Sequence, residues 1–282
     1  MIDETIEEIR RMQTHSSSVV AVKATEALTE LLDRDYRNVE GYERDLERNA
    51  GALRRANPSH ASLHKAMREV VDNVLGEADS VEAAKSRTRE EIDRIVEAIE
   101  TGKHRAAARA ATTFEDGETV LSHDFSTTVL EAVEVAAAEG CHLTAYVTEA
   151  RPRYLGRKTA RRLAEMDRVE PHLLVDSAAG HILDRCDRVV VGMTCIVGET
   201  LYNRVGTFPL VAAASVADVP VTVVGSESKV IESDFVFENE EREPAEVIRE
   251  PVEGVRIENP AYDATPMELI DEVVTDQDQF AP

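Results

Sequence analysis

DRVVVGMTCIVGETLYNRVGTFPLVAAASVADVPVTVVGS, residues 187–226, holds the pattern that decides the fold. DRVVVGM (187–193) is a short β-branched run that ends at a glycine, and PVTVVGS (220–226) repeats it. Between them, a glycine-bounded loop leads into a helix expected from Phe208 to Ala217. Two such strands joined through a helix are parallel members of one sheet, because a parallel crossover needs a dozen or more residues.

Working outward, the alternation continues. TVLSH (119–123), HLTAYVTE (142–149) and HLLVD (172–176) read as strands. A helix through Val129, Val133 and Ala137, one from Gly156 to Met166, and a short one through Ile182 separate them. This series predicts an α/β class with a doubly wound parallel sheet over residues 113–282. Beyond Ile231 the chain reads as acidic and irregular until NPAYDATP (259–266), after which MELIDEVV is expected as a last helix.

Upstream, over 1–112, the period is helical. Ile6, Ile9 and Met12, then Val20, Ala24, Ala27 and Leu31, recur every three or four residues. Asn57-Pro58 reads as an N-cap with proline in the first turn, opening a helix that carries Leu63, Met67 and Val70. Ile92, Ile95 and Ile99 mark another.

The net charge of −23, from 55 acidic and 32 basic residues, repels polyanions and argues against a direct nucleic-acid partner. Lysine is scarce (Lys23, Lys65, Lys85, Lys103, Lys158, Lys229) and tryptophan absent, the composition expected of a salt-rich cytosol and a halophilic source. Cys141, Cys186 and Cys195 form no CxxC pair, which fits a reducing interior. With no apolar stretch of spanning length and no apolar leader, a cytoplasmic protein without membrane attachment is expected.

In doubly wound sheets, ligands bind beyond the carboxyl ends of the strands. That rule selects His123-Asp124, Glu149 to Pro152, Asp176, Gly192 to Cys195 and Ser226 to Lys229. Arg151, Arg157, Arg204 and Lys229 are the cations there, able to hold a phosphate. Gly206-Thr207, before a helix, would offer backbone N–H groups to the same anion. His123-Asp124 is either a proton-transfer pair or, preferably, the cap of the next helix through Asp124. Cys195 is either a nucleophile or a buried structural thiol, the second being favoured. His60 and His64 have a metal-compatible spacing but lack a third ligand, so a surface pair is favoured, and neither metal nor cofactor is expected.

At these clusters the chain resembles a known family. VLSHDFSTTVLEAV, YVTEARPRYLGRKTARRLAEM, VDSAAGHI, VVVGMTCIVGETLYNRVGTFPLVAAA and NPAYDATPMELI look like the α, β and δ subunits of translation initiation factor 2B. That family also holds the isomerases of ribose-1,5-bisphosphate and methylthioribose-1-phosphate. The resemblance implies a helical domain followed by a Rossmann-like domain that builds dimers or larger homo-oligomers. It implies that Asp124 stands where the isomerases carry a catalytic Cys, and Thr194 where they carry an Asp. Ala-Asn-Pro (56–58) replaces their Arg-Pro, while Arg151, Arg157, Arg204 and Lys229 keep cations at matching positions. Asn203, Gly206 and Thr207 complete the implied ligand set. On this pattern, binding was kept and catalysis lost. The expectation is a non-catalytic regulatory subunit that binds a sugar phosphate or nucleotide, with initiation factor 2 subunits as possible partners. The alternative is an isomerase with a rearranged pair, Asp124 as base with Asp176 or Cys195 as its partner.

Overall fold

A computed structural model describes residues 2–11, 17–58, 60–231, 235–250 and 252–282. Met12, assigned above to the first helix, lies outside them. The chain divides into two compact units, Met1–Gly102 with Phe235–Glu238, and Lys103–Asp234 with Asn239–Pro282. A boundary was expected after residue 112, where a long helix ends; the units part at Gly102 instead, within that helix.

The first unit is built from α1 (Ile2–Arg11), α2 (Ser17–Ala27), α3 (Val39–Ala56), α4 (Ala61–Val74) and the first part of α5 (Val81–Ala111). Apolar residues spaced three, four and seven apart place one stripe of each helix inward. Ile9, Val20, Leu46, Leu53, Leu63, Met67 and Ile92 are buried in a single core. Each such side chain contributes about 1.5–3 kcal/mol relative to exposure. Asn38 starts α3 by accepting the Gly41 N–H at 3.0 Å. Asn57-Pro58 does not open α4 as expected. The His60 N–H bonds to the Asn57 carbonyl at 3.3 Å, and this turn delays the helix to Ala61.

The expected surface pair, His60 and His64, is also corrected. His60 is buried, and His64 is half-buried with its ring edge-on to Phe235 at 4.9 Å. No cluster of three or more metal-ligating side chains occurs among the described residues. Burial, reinforced by the charge of Arg54, pulls the His64 pKa down to about 4. An imidazole that titrates near 6.5 when unfolded and near 4 when folded stabilises the fold fully above 6.5 and loses that contribution as pH falls through 4. The expected result is a melting temperature that drops more steeply between pH 6.5 and 4 in wild type than in His64→Gln, read by thermal melts in molar KCl.

The second unit begins with the end of α5 and continues β1 (Thr119–His123), α6 (Thr127–Ala138), β2 (Leu143–Thr148), α7 (Gly156–Leu163), β3 (Val169–Leu174), α8 (Ala179–Ile182) and β4 (Arg188–Gly192). Next come β5 (Cys195–Val197), β6 (Thr200–Arg204), α9 (Thr207–Val216), β7 (Val221–Val224), β8 (Val230–Ile231), β9 (Tyr262–Pro266), β10 (Glu272–Val274) and β11 (Gln279–Phe280). The main sheet runs β11-β10-β7-β4-β1-β2-β3, parallel except at β11. This is the expected α/β class. Every residue of β4 and β7 is buried, as continuous apolar runs require when helices cover both faces. The order turns back between β1 and β4, the switch point where such sheets open a crevice.

Two expectations change here. The glycine-bounded loop is a hairpin: β5 and β6 pair antiparallel across Gly198-Glu199 and join β8 and β9 in a second sheet. The φ of +53° at Gly198 supplies the left-handed residue such a tight turn needs. MELIDEVV is not a helix. It gives a single turn, Met267–Leu269, then β10, because Val273 and Val274 pair with Val223 and Val224 inside the sheet.

Candidate functional site

The Thr119–His123 strand ends at the switch point, and the next residue, Asp124, is held at φ +61°. Ala150, after β2, is likewise left-handed at φ +57°. Non-glycine residues in that region cost about 1–3 kcal/mol each and concentrate at functional sites. The Asp124 carbonyl accepts the Thr159 hydroxyl of α7 at 2.6 Å, which fixes the strained turn. Asp124 does not cap α6, as was expected. Ser126 does so, accepting the Val129 N–H at 3.3 Å, and the Asp124 carboxylate is left to face Arg204, Oδ2 to Nε 3.5 Å.

Both groups line a small solvent-open cleft together with Arg151, Arg153, Leu155 and Arg242. Arg204 also lies over the Tyr262 ring at 4.9 Å, and Arg151 donates to the Val247 carbonyl at 3.0 Å. Arg242 pairs with Glu240 at 3.6 Å and Glu246 at 3.3 Å, and Arg153 with Glu246 at 3.6 Å. Four guanidiniums therefore meet three carboxylates around one cleft, a field that attracts anions.

Of the expected ligand set, the structure brings Arg151 and Arg204 to this cleft with Asp124, and leaves the rest outside it. Arg157 is bound to the Glu149 carboxylate at 2.6 Å and lies on the Tyr154 ring at 3.9 Å, the ordinary fate of a surface arginine among many carboxylates. The Lys229 ammonium is buried and donates to the Met193 carbonyl at 2.9 Å; burial pulls its pKa down to about 8. Asn203 donates to the Thr207 hydroxyl at 3.2 Å, which in turn donates to the Arg204 carbonyl at 2.7 Å. These bonds brace the turn between β6 and α9. Gly206 was expected to offer its N–H to a phosphate. Instead Asp263 of β9 occupies the start of α9, accepting from Gly206 at 2.7 Å and from Phe208 at 3.0 Å, so the helix already has its anion. Thr194 is half-buried and is not among the residues lining the cleft, its N–H on the Tyr202 carbonyl at 3.1 Å.

The partners considered for Asp124 are corrected too. Both Asp176 oxygens accept backbone N–H groups, from Ala150 and Arg151, at 2.7 Å, so this carboxylate shapes the β2–α7 turn. The Cys195 thiol is fully buried and pushed up to about 12 by desolvation, which suits the structural reading and not a nucleophile. His123 is a strut. Its Nε2 donates to the Val205 carbonyl at 2.9 Å and its Nδ1 meets the Thr148 hydroxyl at 2.6 Å.

Gly206 matters for a different reason than the expected one. Its φ is +104°, and a Cβ there would stand 2.6 Å from His123 Cε1. Gly206→Ala is expected to destabilise the protein by about 1–3 kcal/mol through strain and clash, seen as a lower denaturation midpoint in urea titrations. An unchanged midpoint would show that His123 can move aside.

Sequence reasoning missed Arg153 and Arg242. Arg153 lies within the quoted YVTEARPRYLGRK run and shared the signal that drew attention to Arg151. Arg242 sits in the acidic stretch after Ile231, where no periodicity marks it.

Comparison with known proteins sets this geometry among relatives. The chain is similar to the ribose 1,5-bisphosphate isomerase of Haloterrigena turkmenica, 31% identical over 99% of this chain and 89% of that protein. It is 30% identical to the same-named protein of Haloferax volcanii, over 100% of this chain and 89% of the relative. Its fold is that of a Pyrococcus horikoshii protein described as translation initiation factor eIF-2B, with a TM-score of 0.81, 24% identity, and 100% and 97% of the two chains covered. A 5-methylthioribose 1-phosphate isomerase from the same organism superposes with a TM-score of 0.78 at 21% identity, over 100% of this chain and 84% of that one. The sequence relatives are named as enzymes, and this overturns the expectation of a non-catalytic regulatory subunit drawn from Asp124 and Thr194. Residues 13–282 match the initiation factor 2 subunit family, and the chain belongs to it.

Proposed function

We propose that the protein isomerises a phosphorylated aldose, of the aldose 1-phosphate class, to the corresponding ketose phosphate. One observation carries this reading: a carboxylate, Asp124, stands beside a guanidinium, Arg204, in a cleft that further arginines make attractive to phosphate. The names of the sequence relatives support the same class, since ribose 1,5-bisphosphate and methylthioribose 1-phosphate are both sugars phosphorylated on carbon 1.

With Asp176 and Cys195 engaged elsewhere, Asp124 works as a single base. It takes the proton from carbon 2. The C2–H electron pair forms the C1=C2 bond, the ring C1–O4 bond breaks, and O4 leaves as an alkoxide that takes up a proton from water. The product of this step is an enol phosphate. Asp124 then returns its proton to carbon 1 as the O2 hydroxyl loses its own, and carbon 2 becomes the ketone. Arg204 stabilises the negative charge that develops on oxygen, a contribution that a low-dielectric site magnifies. One carboxylate suffices because a base over one face of the planar enol phosphate reaches both carbons, taking the proton from carbon 2 and returning it to carbon 1 on that face.

The test is turnover of ribose 1,5-bisphosphate and methylthioribose 1-phosphate in molar KCl, with ribose 5-phosphate as the control lacking a phosphate on carbon 1. Ketose formed from a 1-phosphate and not from the control is expected. Inertness toward both 1-phosphates would reject the reading.

A further inference from the structure

Arg242 combines an anchored backbone with an unsatisfied head. Its N–H bonds to the Asn259 carbonyl at 2.9 Å, and its neighbour Glu240 accepts the Ala261 N–H at 2.8 Å. A bridge between Glu241 and Pro260 and a bond from Asn239 to the Tyr262 carbonyl at 2.8 Å complete the attachment to the chain entering β9. The residue is only 8% exposed. Yet neither Nη1 nor Nη2 of Arg242 has a hydrogen-bond partner, and neither does Nη1 of Arg153, which lines the same cleft. The carboxylates near them leave these nitrogens unserved: Glu246 bonds to Arg242 through Nε, and Glu240 stands 3.6 Å from Nη1, beyond hydrogen-bond reach.

A buried donor without an acceptor is costly, more so when charged. A fork of donors fixed at its base and open at its tip matches the geometry of a tetrahedral oxyanion. We infer that Arg242 and Arg153 form a phosphate-binding subsite, in which phosphoryl oxygens accept from Arg242 Nη1 and Nη2 and from Arg153 Nη1. This rests on the reading of the cleft as the site of a phosphorylated sugar. It adds a substrate-holding residue, Arg242, from outside the strand ends. Glu246 meets both arginines at Nε, away from the inferred donors, and its negative charge close by opposes an anion there.

The test titrates inorganic phosphate into the full-length protein in molar KCl, followed by calorimetry, and measures KM for ribose 1,5-bisphosphate on the same samples. Saturable phosphate binding is expected in wild type. Arg242→Gln is expected to weaken it about tenfold or more, with KM rising and kcat largely kept. Arg242→Lys, which keeps the charge and loses the fork, should fall between the two. Glu246→Gln should tighten phosphate binding by removing the carboxylate charge that opposes an anion beside both arginines. No saturable phosphate binding in wild type, or the same affinity in folded Arg242→Gln, overturns the subsite. Should Arg242→Gln fail to fold, unchanged or weaker binding in Glu246→Gln overturns it equally. The two readings fail separately. Arginine-dependent phosphate binding without ketose formation rejects the isomerase and keeps the subsite. Turnover with a KM indifferent to Arg242→Gln does the reverse.

Discussion

Replacing Asp124 with Asn is expected to lower kcat for isomerisation by about 10²–10⁴-fold, the usual worth of a positioned general base, and by more if no water takes its place. Asn is the informative substitution. Residue 124 sits at φ +61°, a conformation that Asn tolerates better than nearly any other residue after glycine, so the turn is kept. Asn also leaves an oxygen facing Arg204, which lies 3.5 Å from the present carboxylate. KM should therefore change little while kcat collapses. Ala at the same position would mix backbone strain with lost chemistry. Equal kcat in wild type and Asp124→Asn, from progress curves on ribose 1,5-bisphosphate, would remove Asp124 from the mechanism.

Replacing Asp263 with Ala is expected to destabilise the protein by about 3 kcal/mol, because two charge-assisted bonds at the start of α9 disappear together. The Gly206 and Phe208 N–H groups are among the donors that no helix can satisfy internally. A side chain from β9 meets them, which ties α9 to the second sheet. Asp263→Asn keeps one acceptor oxygen without the charge and should fall between wild type and Asp263→Ala in urea unfolding. An Asp263→Ala midpoint equal to that of wild type would mean that these donors find another acceptor.

The parallel sheet was legible in the sequence because its signal is local. Runs such as TVLSH and DRVVVGM are apolar, β-branched and bounded by breakers, and the helices between them show their own period. The β5–β6 hairpin was not legible, since its strands are short and GMTCIVGETLYNRVGT has the glycines of a loop. MELIDEVV satisfies a helical spacing, and only the pairing of Val273 and Val274 with β7 makes its end a strand.

At the site, the strand-end rule found Asp124, Arg151 and Arg204, which the structure brings together. It also picked Arg157 and Lys229, whose partners are Glu149 and the Met193 carbonyl. Nothing in a sequence states which acceptor a long cationic side chain will meet. The capture of the α9 terminus by Asp263 joins residues 57 apart, and no local pattern announces it. Arg242 was hidden for the same reason, being placed by backbone bonds to Asn259 from within an acidic stretch. Taking the residues at 124 and 194 as departures from the isomerase pattern led to an inference of lost catalysis, and the names of the sequence relatives overturn that inference. Asp124 is itself a carboxylate able to accept a proton.

The most direct test is a single-turnover experiment, with wild-type protein in excess over ribose 1,5-bisphosphate deuterated at carbon 2, followed by NMR in molar KCl beside the undeuterated sugar. The account predicts ribulose 1,5-bisphosphate from both, formed more slowly from the deuterated substrate because Asp124 breaks that bond. Substrate bound by the wild type with no ketose formed would contradict it.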